Sequence, residues 1–154
     1  MHHPASAGPN NLPAPGPGDC PFCAIVAGRA SATIVRRWPD ALAIVPLSAV
    51  TAGHMLVIPK EHVADVGVDP AVSAATMRRA AELAGDMGAC NIITSRGGLA
   101  TQTVFHLHLH VLPRRRRDGL KLPWAADKGT GNCAAAENAE SRVLAEGNGV
   151  SNCR

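Results

Sequence analysis

Three of the chain's seven histidines stand at His106, His108 and His110, one leucine apart, in the stretch "VFHLHLHVLPRRRR" (104–117). Imidazole offers a neutral nitrogen near pH 7, which suits metal binding, proton transfer or nucleophilic attack on phosphorus. In a strand, alternate side chains point to opposite faces. His106, His108 and His110 then share one face, and Phe105, Leu107, Leu109 and Val111 share the other, where they can pack on a core. The imidazoles form a row with steps of about 6.5 to 7 Å, too far apart to bond one another but close enough to surround one ligand. A helix would scatter them. A lone histidine reads as an ordinary outward residue, whereas three in strict alternation point to chemistry. On the motif alone, a three-histidine zinc site and phosphorus chemistry both stay open.

A second group with chemical potential is Cys20 and Cys23, a C-x-x-C pair at the mouth of a short helix. That spacing lets two thiolates grip one metal, and it equally suits two free thiols. A thioredoxin-like redox role needs a βαβ context, which is missing. Five cysteines is an odd number, and in a reducing cytosol such residues more often bind metal or stay free than pair. Cys90, Cys133 and Cys153 receive no role.

The elements that must position these groups are legible around them. A short helix spans about 21–27 and is stopped by Gly28. Strands read at 33–38, 41–45, 54–58, 90–95 and 103–112. One long helix opens on Asp69 as N-cap with Pro70 at its first position and runs to about 88, its apolar stripe made of Val72, Ala80, Leu83, Ala84 and Met87. Several strands follow one another without intervening helices, so the sheet is expected to be mostly antiparallel and the class α+β.

With 154 residues and 46% hydrophobic content, the chain fills one core. Residues 1–18, rich in Pro, Gly and Asn, read as a disordered arm, and 125–154 as a low-complexity tail with a possible short helix around 134–145. The domain proper is 19–124. A net charge of +3 and a pI near 8.8 fit a small anionic ligand better than a duplex, so no nucleic-acid partner is expected. The run Arg114 to Arg117 reads as a solvated turn. With no long apolar stretch and no secretory signal, the expectation is a soluble, cytoplasmic protein that engages no membrane.

The stretch "HLHLHVL" is similar to the histidine triad motif, His-φ-His-φ-His-φ-φ with φ apolar. The resemblance extends through "DCPFCAIVAGRASATIV" (19–35), "AGHMLVIPKEHV" (52–63) and "TQTVFHLHLHVLPR" (101–114), in that order. It implies a nucleotide-binding domain, commonly a homodimer, that cleaves a phosphoanhydride, phosphoramidate or related bond at the phosphorus attached to a nucleoside.

By this resemblance His108 is the nucleophile that forms a nucleotidyl-histidine, while His110 and His54 donate protons or hydrogen bonds to the phosphoryl oxygens and leaving group. Gln102 and Thr103 fall in the family's phosphate-contacting segment. Ser95 stands where the family often has asparagine. Phe22, Ile25, Ile44 and Leu47 would sandwich a base, by expectation a purine. The resemblance further implies a structural zinc held by Cys20, Cys23, His62 and His106, which makes His106 a ligand. Trp124 resembles an aromatic that reaches across the dimer. The glycine pair in 95–101 belongs to no Walker-type loop and reads as a turn beside the phosphates.

The chain departs from the family where an acidic residue usually accepts the ribose hydroxyls, since Pro46 stands there, and where a common glycine precedes the glutamine, since Thr101 stands there. The leading reading is therefore a nucleotide hydrolase or transferase. The alternatives are a nucleotide-binding regulatory protein with little turnover and a zinc-binding protein without covalent catalysis.

Overall fold

The computed structural model describes residues 18–122. The expectations for most of the N-terminal arm, for the tail with its helix around 134–145, and for Trp124 lie outside the described residues.

The elements in chain order are α1 (Pro21–Val26), β1 (Ile34–Arg37), β2 (Ala41–Ile44), β3 (Met55–Pro59), α2 (Pro70–Ala84), β4 (Cys90–Ile93), a single 3₁₀ turn (Gly98–Ala100) and β5 (Leu109–Pro113). The five strands form one sheet in the order β1-β2-β3-β5-β4, with every pairing antiparallel. The α+β class is as expected. Among the described residues, no helix is long and apolar enough to cross a membrane.

Both helices begin on local chemistry. Asp69 Oδ1 accepts the N–H groups of Ala71 and Val72 at 2.8 and 3.1 Å, and Pro70 occupies a position whose N–H would have no helical partner. The helix α2 ends at Ala84, earlier than expected. The Gly85 and Met87 N–H groups turn back to the carbonyls of Ala81 and Ala84, which closes the last turn before Gly88. Thr76 lies buried on the apolar stripe, its hydroxyl satisfied by the Val72 carbonyl at 2.7 Å, as buried polar groups require. In α1 the Cys20 sulfur accepts the Cys23 N–H, and Gly28, at φ +72°, takes the left-handed turn that stops the helix.

The sheet separates two cores by strand alternation. Ala41, Ala43, Val57, Leu107, Leu109 and Val111 pack with Ala80 and Leu83 of α2. Leu42, Ile44, Leu56 and Ile58 pack with Cys20 and Phe22 on the α1 side. Because both faces are covered, all four residues of β2 are buried. An antiparallel strand with one wet face would instead alternate.

The triad strand corrects the expectation of 103–112. Only Leu109–Pro113 joins the sheet, so His106 and His108 lie ahead of it. Strand β4 has ended at Ile93, and although β3 runs on to Pro59, its pairing with β5 stops at Val57 and Leu109. The Leu107 N–H goes to the Val63 carbonyl at 2.7 Å and the His106 N–H to Val104 at 2.9 Å. The alternation survives, with Leu107, Leu109 and Val111 on the α2 side and His106 and His108 against Phe22. Phe105, expected in the apolar row, is only half-buried. The His108 and His110 ring centroids are 5.1 Å apart, closer than regular strand spacing, and of the two only His110 sits in the ladder. Strands β1, β2 and β4 are shorter than expected, and β3 is shifted by one residue, starting after His54 and running to Pro59.

Candidate functional site

The α1 face carries two adjoining side-chain clusters, joined through His106 and His108. In the first, the α1 cap presents Cys20 and Cys23, the loop after β3 presents His62, and the segment ahead of β5 presents His106. Their ligand atoms all lie within 4.8 Å of one another. The sulfur of Cys20 is 3.4 Å from His106 Nδ1, and that of Cys23 is 3.5 Å from the same atom and 3.2 Å from His62 Nδ1. The two Nδ1 atoms are 3.2 Å apart.

These separations match the edges of a tetrahedron around one zinc. With Zn–S of about 2.3 Å and Zn–N of about 2.0 to 2.1 Å, the edges are about 3.5 Å between sulfur and nitrogen and about 3.3 Å between nitrogens. His106 Nε2–H donates to the Pro59 carbonyl at 3.0 Å, so Nδ1 carries the lone pair that faces the sulfurs. Burial pushes the His106 imidazole down to about 4, keeping it neutral. Burial, followed by the neighbouring Cys20, pushes the Cys23 thiol up to about 11. A cation at the centre is what would turn such thiols into thiolates. The donor set therefore fits a four-coordinate metal with no open position.

The second cluster is His54, His108 and His110. His108 Nδ1–H donates to the His106 carbonyl at 2.8 Å. A carbonyl can only accept, so in the neutral ring Nε2 carries the lone pair. The Val50 N–H donates to His54 Nδ1 at 3.3 Å, which places the His54 proton on Nε2. From there it is donated to His110 Nδ1 at 3.0 Å, leaving His110 with its own proton on Nε2. Burial lowers His54. Burial, followed by the charges of His108 and His54, pushes His110 down to about 4. With the rings in their neutral forms the cluster thus presents one free lone pair, on His108, beside an N–H donor, on His110.

Phe22 joins this cluster to a cavity. Its ring meets those of His106 and His108 edge-on at 5.8 and 5.4 Å, and it lines a cleft of about 830 Å³ together with Ile25, Ile44, Leu47 and Thr103. Five of the seven expected nucleotide contacts therefore line one cleft, with Leu47 fully exposed. Pro46 and Val104 also line it, and no lining side chain is charged.

Two expected contacts are placed otherwise. Ser95 is not among the cavity residues. Gln102 is buried, at 4% exposure, and its amide is committed internally. Oε1 accepts the Gly97 N–H at 2.8 Å, while Nε2 donates to the carbonyls of Ala64 and Val104 at 2.7 and 3.1 Å. Its side chain ties the glycine turn to the loop after β3 instead of facing a phosphate. In that turn Thr101 sits at φ +65°, a left-handed conformation that a β-branched residue adopts at a cost.

The arginine run divides. Arg114 is a half-buried clasp that donates to Asp118 through Nε and Nη2 at 2.6 and 3.0 Å, to Asn91 Oδ1 at 2.7 Å and to the Leu120 carbonyl at 2.7 Å. The guanidinium holds the Asp118 carboxyl well below the usual carboxylate range. Arg115 reaches the Ala52 carbonyl at 3.2 Å, fastening the turn that leads into His54. Arg116 and Arg117 are exposed. The solvated-turn expectation thus holds for the last two and fails for Arg114. Sequence reasoning also missed Thr94, whose hydroxyl donates to the His108 carbonyl at 2.9 Å. An isolated threonine at a strand end gives no signal of this.

Comparison with known proteins agrees with this geometry. The model of the HIT domain matches residues 27–117, beginning after Cys20 and Cys23. An uncharacterized HIT-like protein of Mycobacterium tuberculosis is 41% identical over 110 residues, covering 67% of this chain and 76% of that protein. Adenylylsulfatase HINT3 of Arabidopsis thaliana is 30% identical over 116 residues, covering 71% of this chain and 57% of the relative. The crystal structure of a zinc-bound histidine triad family protein from Mycobacterium smegmatis superposes with a TM-score of 0.60 at 40% identity, over 69% of this chain and 82% of the other. With the domain model spanning more than half the sequence, the chain belongs to the HIT family.

Proposed function

We propose that the protein is a nucleotide hydrolase or transferase that cleaves a bond at the α-phosphorus of a nucleotide through a nucleotidyl-histidine. The observation that carries this reading is the hydrogen bond from His108 Nδ1–H to the His106 carbonyl, which frees Nε2 as the nucleophile beside the cleft lined by Phe22. Nε2 attacks phosphorus as the bond to the leaving group breaks, and the electron pair departs with that group. Water then attacks the same phosphorus, breaking the N–P bond and returning the pair to Nε2. His110, a neutral donor at Nε2, bonds the oxygens on which negative charge gathers, and His54 holds it in that tautomer. The uncharged cleft takes the nucleoside, with a purine between Phe22, Ile25, Ile44 and Leu47. The adenylylsulfatase among the relatives is a precedent for a nucleotidyl substrate.

Cys20, Cys23, His62 and His106 would hold a structural zinc, tying α1 and the His62 loop to the catalytic segment. Following the family resemblance, the protein is proposed to act as a cytoplasmic homodimer. A second reading, nucleotide binding with little turnover, draws on the absence of any acidic side chain from the cleft.

A panel of fluorogenic nucleoside phosphoramidates and dinucleoside polyphosphates separates the two readings. Turnover, abolished in His108→Ala with nucleotide binding kept within about tenfold, supports covalent catalysis. A variant retaining near wild-type rate refutes it.

A further inference from the structure

We infer that Thr94 is a positioning residue for His108, acting on the nucleophile through its main chain; the inference rests on the covalent reading above. His108 lies ahead of the regular ladder. Strand β4 ends at Ile93, which pairs with His110, and β5 begins at Leu109. The backbone pairing that fixes His110 therefore stops before it reaches the nucleophile. The Thr94 hydroxyl extends it by one bond, donating to the His108 carbonyl at 2.9 Å. Thr94 is half-buried, so this bond is partly shielded from competing water.

His108 is then restrained at separate points. Nδ1–H is fixed by the His106 carbonyl, the ring leans edge-on against Phe22 and His110, and the carbonyl is fixed by Thr94. The first two restraints set the tautomer and the plane of the ring, and the third sets the peptide from which the ring projects. Nε2 lies about 4.5 Å from its own Cα, so a backbone swing of about 10° displaces it by roughly 0.8 Å. A misplacement of that order at a reacting atom can cost on the order of 10²-fold in rate. Thr94 is neither a lining residue of the cleft nor a member of the cysteine and histidine cluster, so its loss should act on the chemical step and leave ground-state binding alone.

The test compares Thr94→Val, which keeps the shape and removes the donor, with Thr94→Ser, which keeps the donor. With a fluorogenic adenosine phosphoramidate as substrate, Thr94→Val is expected to lower kcat about 10- to 50-fold with KM within about threefold, and Thr94→Ser to restore kcat to within about threefold of wild type. Histidine ¹⁵N NMR of the full chain reads positioning without turnover. Thr94→Val should broaden or split the His108 resonances and leave those of His62 unchanged. Wild-type kcat in Thr94→Val, an equal loss in both variants, or unaltered His108 resonances would each overturn the inference. If the wild-type protein turns over no phosphoramidate, the covalent reading fails, and the NMR comparison still decides whether Thr94 holds His108.

Discussion

Lowering the pH should destabilise this protein by charging His110, which lies beside His108. His110 sits between His54 and His108, and burial together with its neighbours pushes it from an ordinary value of 6.5 to about 4. The folded-state value is depressed, so its stabilising contribution is complete above about pH 6.5 and is lost as the pH falls towards 4, where the unfolded chain binds a proton and the folded one does not. The gap is about 2.5 pH units at about 1.36 kcal/mol each, which sets a ceiling of about 3 kcal/mol and a loss of about 2 kcal/mol between pH 7 and pH 4.5. His54, lowered by burial, acts in the same direction. Protonating His110 at Nδ1 would also oppose the His54 Nε2–H that now donates to that atom.

The assay is urea unfolding of wild type and His110→Asn at several pH values from about 7 to about 4.5. Asparagine removes the titrating group at this position, and any acid loss of metal is shared by both proteins. Wild type should lose about 2 kcal/mol more than the variant over that range. Equal losses would refute the assignment of a depressed His110.

Other expectations follow from the same geometry. Protein purified without chelator should carry one tightly held zinc per chain, lost in Cys20→Ser, because three ligands cannot close the tetrahedron; elemental analysis finding no metal in the wild type would contradict this. Thr101→Gly, at φ +65°, should raise stability by about 0.5 to 1 kcal/mol and Tm by a few degrees, relief of backbone strain outweighing the added freedom of the unfolded chain; an unchanged or lower Tm would count against it. The cleft has no carboxylate and Pro46 lines it, so AMP and 2′-deoxy-AMP should bind within about tenfold of each other, the missing bond being one that typically contributes about 1.5 to 3 kcal/mol. A preference for AMP of about a hundredfold or more by calorimetry would reject this.

What the sequence discloses and what it withholds divide along a physical line. The start of α2 was legible because an aspartate cap and a proline at the first helical position act on atoms within one turn. The α+β class was legible because alternation and the lack of intervening helices constrain pairing. The four possible metal ligands came from residue type and family resemblance, and the fold brings all four together. The extent of the triad strand was not legible. Whether His106 and His108 join a ladder depends on where β4 ends and where the β3–β5 pairing stops, which no residue in 103–112 determines. Gln102 misled for a related reason. An amide suits a phosphate, and it suits equally a glycine turn and two carbonyls, which is where the fold spends it.

The same distinction governs the histidines themselves. Their positions in the chain are a matter of side-chain type, but the nitrogen each one presents is decided by main-chain groups: the carbonyl of Pro59 for His106, the carbonyl of His106 for His108, and the N–H of Val50 for His54 and, through it, His110. Any residue could supply those backbone atoms, so no pattern of letters records them. His106 joins the two clusters directly, since it turns its Nδ1 towards the cysteines while its carbonyl fixes His108. Disturbing the cysteine cluster should therefore be felt at His108, and substituting Phe22, whose ring meets both His106 and His108, should be felt in both clusters. The coupling runs through the His106 carbonyl and the Phe22 ring, and its strength depends on how firmly the cluster of Cys20, Cys23 and His62 holds His106.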